Sequence, residues 1–364
     1  MIFHIYNKLP YPCLYLKVIF FTGHSTPKPL KLKGFSSFLL NFTNLSTIIK
    51  EDMNIFKGVN HMIPENSLLD ITHCRLCPRN CGINRKERAG FCGEKAAIRC
   101  ARAALHHWEE PCISGTRGSG TVFFSGCCLK CCFCQNYQIS QEGLGKELSP
   151  ERLAQIFLSL QEQGAHNINL VTGTHFLPGI LAALDLARPK LSIPVVYNCG
   201  GYEKPEVIQL LDGYVDIYLP DLKYFDSKLS AEYSGAGDYF SVASRAVSAM
   251  IAQTGSPVFD EEGIMIRGVL IRHMVLPGSR KDSVSILRWL EENLPKDGFL
   301  LSLLSQYTPF YKSSEHPRIN RRLTTYEYEK VLEEAVSLGL TRGFMQEKSS
   351  AKEEYTPPFD LEGL

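Results

Sequence analysis

The stretch that decides the fold is Gly120-Thr121-Val122-Phe123-Phe124-Ser125-Gly126-Cys127-Cys128-Leu129-Lys130-Cys131-Cys132-Phe133-Cys134-Gln135-Asn136. Its first part is apolar, β-branched and aromatic, the pattern of a buried strand. Ser125-Gly126 ends the strand, and a cysteine-dense loop follows at once. A C-x3-C-x2-C triplet runs through Cys127, Cys131 and Cys134. Three thiolates leave one iron of a four-iron cluster without a protein ligand, and such an open position admits a small molecule. A second set, C-x2-C-x2-C, can be drawn through Cys128, Cys131 and Cys134. The preferred reading keeps Cys128 and Cys132 as small apolar fillers beside the cluster.

Working outward, eleven of the 13 cysteines lie between Cys74 and Cys134, with only Cys13 and Cys199 outside. An odd total in a large chain, with no credible secretion signal, argues for reduced thiols. The upstream group is Cys74-Arg75-Leu76-Cys77-Pro78-Arg79-Asn80-Cys81 followed by Cys92, a C-x2-C-x3-C-x10-C spacing. Four such sulfurs suit either a tetrahedral zinc or an iron–sulfur cluster, and spacing does not choose between them. Cys100 and Cys112 have no partner at ligand spacing and read as core residues.

The whole chain has 364 residues, 44% apolar and 21% charged, with 39 basic against 38 acidic residues. Such a chain buries a full core, which excludes disorder as its main state. The charge balance argues against nucleic acid as a partner, and no apolar run reaches the length of a membrane span. Residues 1–50 differ from the rest, holding six lysines and no Asp, Glu or Arg. Residues 1–65 are therefore expected to be a poorly ordered leader, with Met53 and Met62 as alternative starts.

The Cys127–Cys134 run resembles the radical S-adenosylmethionine (SAM) superfamily, whose signature places C-x3-C-x2-C after the first strand of a partial barrel with an aromatic residue before the last cysteine. Cys127, Cys131, Phe133 and Cys134 match it. Gln135-Asn136 and the flanking residues look like the activating-enzyme branch related to pyruvate formate-lyase activating enzyme. Residues 73–348 are similar to an uncharacterised group of that branch carrying the upstream four-cysteine segment. That group usually has Asn where Cys128 stands. The resemblance implies a [4Fe–4S] cluster on Cys127, Cys131 and Cys134, SAM on its fourth iron, and a 5′-deoxyadenosyl radical that abstracts hydrogen. It also implies a glycyl radical enzyme as protein substrate and a reduced flavodoxin or ferredoxin-type electron donor. The alternatives are a radical SAM enzyme acting on a small molecule, or a cysteine-rich metal or electron-transfer protein without catalysis.

Downstream, strands and helices alternate. Helices are expected over 150–163, 179–186, 205–211, 283–294 and 325–337, and strands over 167–171, 194–197, 215–219, 265–276 and 299–304. Ser149 before Pro150 and Glu151 is an N-cap signal. About six such units predict an α/β fold, a partial (β/α)6 TIM-like barrel with reactive residues at the carboxyl ends of its strands. There lie Thr172 and Thr174, expected to contact SAM in place of the Gly-Gly-Glu segment usual in the superfamily, with His175 as either a proton or substrate contact or a solvent-facing histidine. Asn198 follows the next strand. Asp221-Leu222-Lys223 matches the Asp-Leu-Lys of the activating-enzyme branch and supplies the catalytic candidates Asp221 and Lys223. Arg272, with Arg267 as its competitor, is expected to reach SAM. The expected divisions are a cysteine-rich metal-binding segment over 66–118, a radical SAM core over 119–348 and a tail over 349–364. The auxiliary site, zinc or a second iron–sulfur cluster, falls to Cys74, Cys77, Cys81 and Cys92. A cytoplasmic protein is expected, with neither nucleic acid nor membrane as a partner.

Overall fold

The computed structural model describes residues 68–346 and 356–364. The expected leader, with Met53 and Met62, lies outside the described residues, as do 347–355. The fold is α/β with a mostly parallel central sheet. Ten strands form it: β1 (Ile98–His106), β2 (Ser119–Phe124), β3 (Lys146–Leu148), β4 (Ile168–Val171), β5 (Val195–Cys199), β6 (Ile217–Pro220), β7 (Val258–Phe259), β8 (Met265–Met274), β9 (Leu300–Leu304) and β10 (Gly343–Met345). Their order is β10-β9-β8-β6-β5-β4-β2-β1-β3, with β7 paired to β8. Every pair from β2 to β10 along this path is parallel, whereas β1 pairs antiparallel with β2 and β3.

Parallel strands need helical crossovers, and the chain supplies them. They are α3 (Pro150–Glu162), α4 (Leu177–Ala187), α5 (Pro205–Leu210), the pair α6 (Ser227–Ser234) and α7 (Tyr239–Thr254), α8 (Arg280–Asn293) and α9 (Thr325–Ser337). Two single turns, α1 (Pro111–Ser114) and α2 (Tyr137–Ser140), sit in the loops flanking β2. The Ser149 hydroxyl accepts from the Arg152 amide at 3.2 Å, and Pro150 opens the first turn, so α3 starts where the cap residue dictates. Helices on the outside and cavity-facing side chains within explain why β2, β4, β5 and β6 are buried along their whole length.

Two features depart from the expected layout. β1 and α1 fall in the segment expected to be a metal-binding unit, yet β1 runs the length of β2 in the main sheet. Its residues Ile98, Cys100, Ala101 and Ala103 are buried, an apolar content that belongs to a sheet rather than a metal loop. Cys100 and Cys112 are buried, and burial pushes both thiols well above their ordinary range. The second feature is the end of the chain. The Leu361 amide donates to the Ala101 carbonyl at 3.1 Å and the Ala103 amide to the Glu362 carbonyl at 2.9 Å. The Arg102 guanidinium pairs with Asp360 and Glu362, and Phe359 packs edge-on against Phe123, so residues 359–362 lie along the β1 edge beyond β3.

Candidate active site

The carboxyl ends of the parallel strands open into a cavity of about 320 Å³. Its lining runs from Cys127, Cys131 and Cys134 through Thr172, Asn198, Asp221, Lys223 and Arg272. Residues from β2 to β9 face this one space, so the sheet curves around it.

Gly126 makes the cysteine loop possible. Its φ is +77°, and a Cβ there would stand 2.5 Å from the Glu94 side chain and 2.8 Å from the Cys92 carbonyl. The loop is then fixed from several sides. The Cys127 amide donates to the Cys92 carbonyl at 3.1 Å, and the Cys132 amide to the Tyr233 carbonyl at 2.8 Å. Phe133 packs edge-on against Tyr307. The sulfurs receive donors of their own. The Leu129 amide approaches Cys127 Sγ at 3.4 Å, Ser234 Oγ donates to Cys131 Sγ at 3.0 Å, and Ser140 Oγ lies 3.3 Å from Cys134 Sγ. Such donors favour thiolates, the form that binds iron. Burial pushes the Cys131 thiol up and the Cys134 thiol to about 12. Three inward sulfurs with donors and a cationic neighbour in Lys223 are a donor set that fits an iron–sulfur cluster.

Cys128 is buried, with its Sγ 4.0 Å from the Tyr202 carbonyl. Hydrogen bonding by its thiol brings the Cys77 and Cys127 thiols each down to about 7. Cys128 itself rises well above its ordinary value as the shared donor. The two cysteine segments meet where Arg79 Nε donates to the Cys128 carbonyl at 2.8 Å and the Cys127 amide to the Cys92 carbonyl. In the upstream group the Phe91 amide donates to Cys81 Sγ at 3.4 Å, and burial pushes the Cys92 thiol to about 11. All the described cysteines are free, and no three of the described His, Cys, Asp or Glu side chains are drawn together around a single ion.

Opposite the cysteines lies a buried ionic network. Arg272, with 15% of its side chain exposed, donates from Nε to Asp221 Oδ1 at 3.1 Å and from Nη1 to Glu109 Oε2 at 3.0 Å. Its Nη2 donates to Asn198 Oδ1 at 2.5 Å. Asn198 Nδ2 and Asn169 Nδ2 donate to Glu109 Oε1 at 3.1 and 3.0 Å. Lys223 Nζ donates to Asp221 Oδ2 at 2.7 Å. Burial alone would raise the Asp221 carboxyl, but Lys223 and Arg272 outweigh it and hold it below the carboxylate range. Burial likewise opposes charge on Lys223, and Asp221 reverses it, raising the ammonium above its ordinary value. Two cations and two carboxylates thus sit paired at the cavity wall.

The expected site residues separate accordingly. Thr172, Asn198, Asp221, Lys223 and Arg272 share the cavity. Thr172 holds φ +60°, a strained value for a β-branched residue, with its amide bonded to the Asn198 carbonyl at 2.8 Å. Thr174 turns away, correcting its expected cofactor contact. Its buried hydroxyl donates to Glu203 at 2.8 Å and accepts from the Tyr197 hydroxyl at 2.8 Å. His175 is neither solvent-facing nor in the cavity. Its Nε2 bonds the Ser125 carbonyl at 2.6 Å, and burial lowers its pKa to about 3, so a neutral ring anchors the strand end. Arg267 is exposed and bonds the Gln253 carbonyl near the amino end of β8, leaving Arg272 as the cavity residue. Sequence reasoning missed Glu109 and Glu110. The signal was two adjacent acids before Pro111, hidden because the segment was read with the cysteines.

A family model described as the radical SAM superfamily matches residues 121–290. An uncharacterised protein of Methanocaldococcus jannaschii, MJ0674, is 34% identical over 278 residues, covering 74% of this chain and 75% of that protein. The chain belongs to the radical SAM superfamily. Among solved structures it is similar to Streptococcus suis SuiB. The SuiB structure alone shows 16% identity over 63% of this chain and 48% of SuiB, with a TM-score of 0.42. SuiB bound to S-adenosylmethionine shows 17% identity over 64% of this chain and 51% of SuiB, also with a TM-score of 0.42. The chain spans about half the length of SuiB. Among its described residues no helix is long and apolar enough to cross a membrane.

Glu203, beneath Thr174, gives this radical SAM chain a titratable group outside the cavity. Burial raises its carboxyl to about 8, and its Oε2 has no hydrogen-bond partner. The folded chain keeps a proton there that the unfolded chain releases at about pH 4.3. That group therefore costs stability progressively as pH rises from the unfolded value to the folded one, and the cost levels off above it. Glu203→Gln removes this dependence. Denaturant titrations are expected to show the variant gaining on the parent by up to about 1.4 kcal/mol per pH unit across that window. A difference that stays constant with pH would contradict the assignment.

Proposed function

We propose that the protein is a radical SAM enzyme of the activating type, with Cys127, Cys131 and Cys134 holding a [4Fe–4S] cluster and a glycyl radical enzyme as its substrate. When bound, cluster and SAM together supply a 5′-deoxyadenosyl radical by one-electron cleavage of SAM, and that radical takes a hydrogen atom from the substrate. The observation that carries the enzyme reading is the convergence of those three sulfurs and the Asp221–Lys223–Arg272 network on one cavity. Its support for an activase is the Asp221-Leu222-Lys223 resemblance.

The chain's own residues divide the work. Lys223 uses one ammonium hydrogen on Asp221 and has further donors for a carboxylate in the cavity. Asp221 keeps Lys223 charged, and Lys223 and Arg272 together keep Asp221 ionised. Asn198 and Glu109 hold the guanidinium at a fixed height, so the polar wall is set before any ligand arrives. Phe123, Phe133 and Met274 line the same space and limit water around a reactive intermediate. We assign Cys74, Cys77, Cys81 and Cys92 to an auxiliary metal centre, zinc or iron–sulfur. Of the 66–118 division we assign the part before β1 to that centre and count β1 with the 119–348 catalytic core, whose sheet it joins, with 349–364 as the tail.

The test is anaerobic purification with iron, sulfide and zinc analysis, followed by a deoxyadenosine assay with and without a glycyl radical enzyme. Deoxyadenosine with a glycyl electron paramagnetic resonance signal on the partner is expected. Deoxyadenosine formation that no glycyl radical enzyme stimulates would move the reading to a small-molecule substrate. An intact cluster with no SAM cleavage would remove the enzyme reading.

A further inference from the structure

The structure presents an exposed aromatic ring directly above the upstream cysteines. Phe91 is 42% exposed, flanked by the Arg79 guanidinium 4.1 Å from its ring centroid and by Lys130 Nζ at 5.8 Å. Its amide touches Cys81 Sγ, and the carbonyl of the next residue, Cys92, accepts from the Cys127 amide. Arg79, which flanks Phe91, donates from Nε to the Cys128 carbonyl at 2.8 Å. Between the Phe91 surface and the cavity-lining cysteines there is thus a short bonded route.

The charge of the segment that carries Phe91 is one-sided. Arg75, Lys86, Arg88 and Lys95 of the same segment are exposed, whereas Glu94 is buried and only Glu87 is an exposed acid between residues 74 and 97. The chain as a whole is close to neutral, so this is a local positive field rather than a general one. A large exposed aromatic flanked by two cations on a basic segment is the composition of a binding anchor, and complementary charge mainly accelerates encounter.

We propose that the Phe91 surface is the docking site for an acidic, low-potential one-electron carrier protein. The proposal rests on the reading that Cys127, Cys131 and Cys134 hold a cluster. In the step it serves, the docked carrier is oxidised by one electron and that cluster is reduced by one, with no bond made or broken. The occupant follows from the chemistry: acidic to match Arg88 and Lys95, and redox-active because the residue after Phe91 is hydrogen-bonded to Cys127, a ligand of the proposed cluster, rather than opening on a substrate cavity.

The test uses the anaerobically reconstituted full chain and follows the bleaching of cluster absorbance in stopped flow. One arm mixes it with fully reduced flavodoxin and the other with dithionite. Arg88→Glu with Lys95→Glu is expected to slow reduction by flavodoxin about tenfold or more at low salt, with the difference shrinking as salt rises. Phe91→Ser is expected to slow it at every salt concentration. Reduction by dithionite is expected to be unchanged in both. The control, Arg267→Glu with Arg342→Glu, reverses exposed charges near the amino ends of β8 and β10, and is expected to match the parent. Equal flavodoxin rates in parent and Arg88/Lys95 variant, or an equal loss in the control, would overturn the docking site. Absence of cluster absorbance in the parent would overturn the cluster reading beneath it, and a cluster present with unaffected rates would overturn the docking site alone.

Discussion

Replacing Cys127, Cys131 or Cys134 by alanine is expected to bring deoxyadenosine formation to background and to lower the iron bound at this site, each substitution having the full effect by itself. A cube held by three thiolates has no spare ligand, so the loss is not graded. Cys132→Ala is expected to leave the reaction largely intact, because Cys132 is held through its backbone to Tyr233 and Tyr311's neighbour Lys312. Cys128→Ala is the informative case. Hydrogen bonding by its thiol lowers the Cys77 and Cys127 thiols, so its removal lets both return toward their ordinary range. Because it is an outer partner of a ligand, its removal is expected to reduce the rate by about 10- to 100-fold, short of the loss to background. A loss at Cys128 equal to that at Cys127 would redraw the triplet through Cys128, Cys131 and Cys134. Iron and sulfide analysis beside the assay separates lost cluster from lost turnover.

The parts of this fold that repeat were legible, and the parts that close it were not. Strands such as Ile168–Val171 and helices such as Thr325–Ser337 announce themselves through apolar periodicity and caps, because local preference and tertiary burial agree there. The cysteine loop was legible for a different reason: spacing, glycine and aromatic residue are all constrained by one ligand set. β1 was not, since it borders the cysteine segment in sequence while belonging to the sheet in space. Glu109 escaped for the same reason. Its role exists only because β1 brings it under Arg272, a contact across 163 positions that no local pattern encodes. Thr174 illustrates the opposite error. Two residues after Thr172, it sits in a short 3₁₀ turn rather than a continuing strand, so the alternation that would have faced it into the cavity had already ended.

The ionic network offers the largest expected effect on folding. Arg272→Met removes one cation from between Asp221 and Glu109, whose side chains are 25% and 10% exposed. The remaining carboxylates are then left with Lys223 as their one named ionic partner, and Glu109 has only amide donors from Asn169 and Asn198. Breaking a buried pair by deleting one member strands the other charge, at a cost of about 3–5 kcal/mol. Denaturant unfolding of the full chain is expected to show that loss. Adding Glu109→Gln to Arg272→Met removes the stranded charge and is expected to recover a large part of it, whereas Glu109→Gln alone is destabilising because it leaves Arg272 short of a counter-charge. A double-mutant cycle on the two positions measures the coupling directly. Additive losses would mean that solvent reaches Glu109 and that the wall of the cavity is not the preassembled structure described above. A coupling of several kcal/mol, together with SAM affinity that falls in Arg272→Met and stays low in the double variant, would separate the two tasks of the guanidinium: neutralising Glu109 for folding, and holding Asp221 and Lys223 ready for a ligand.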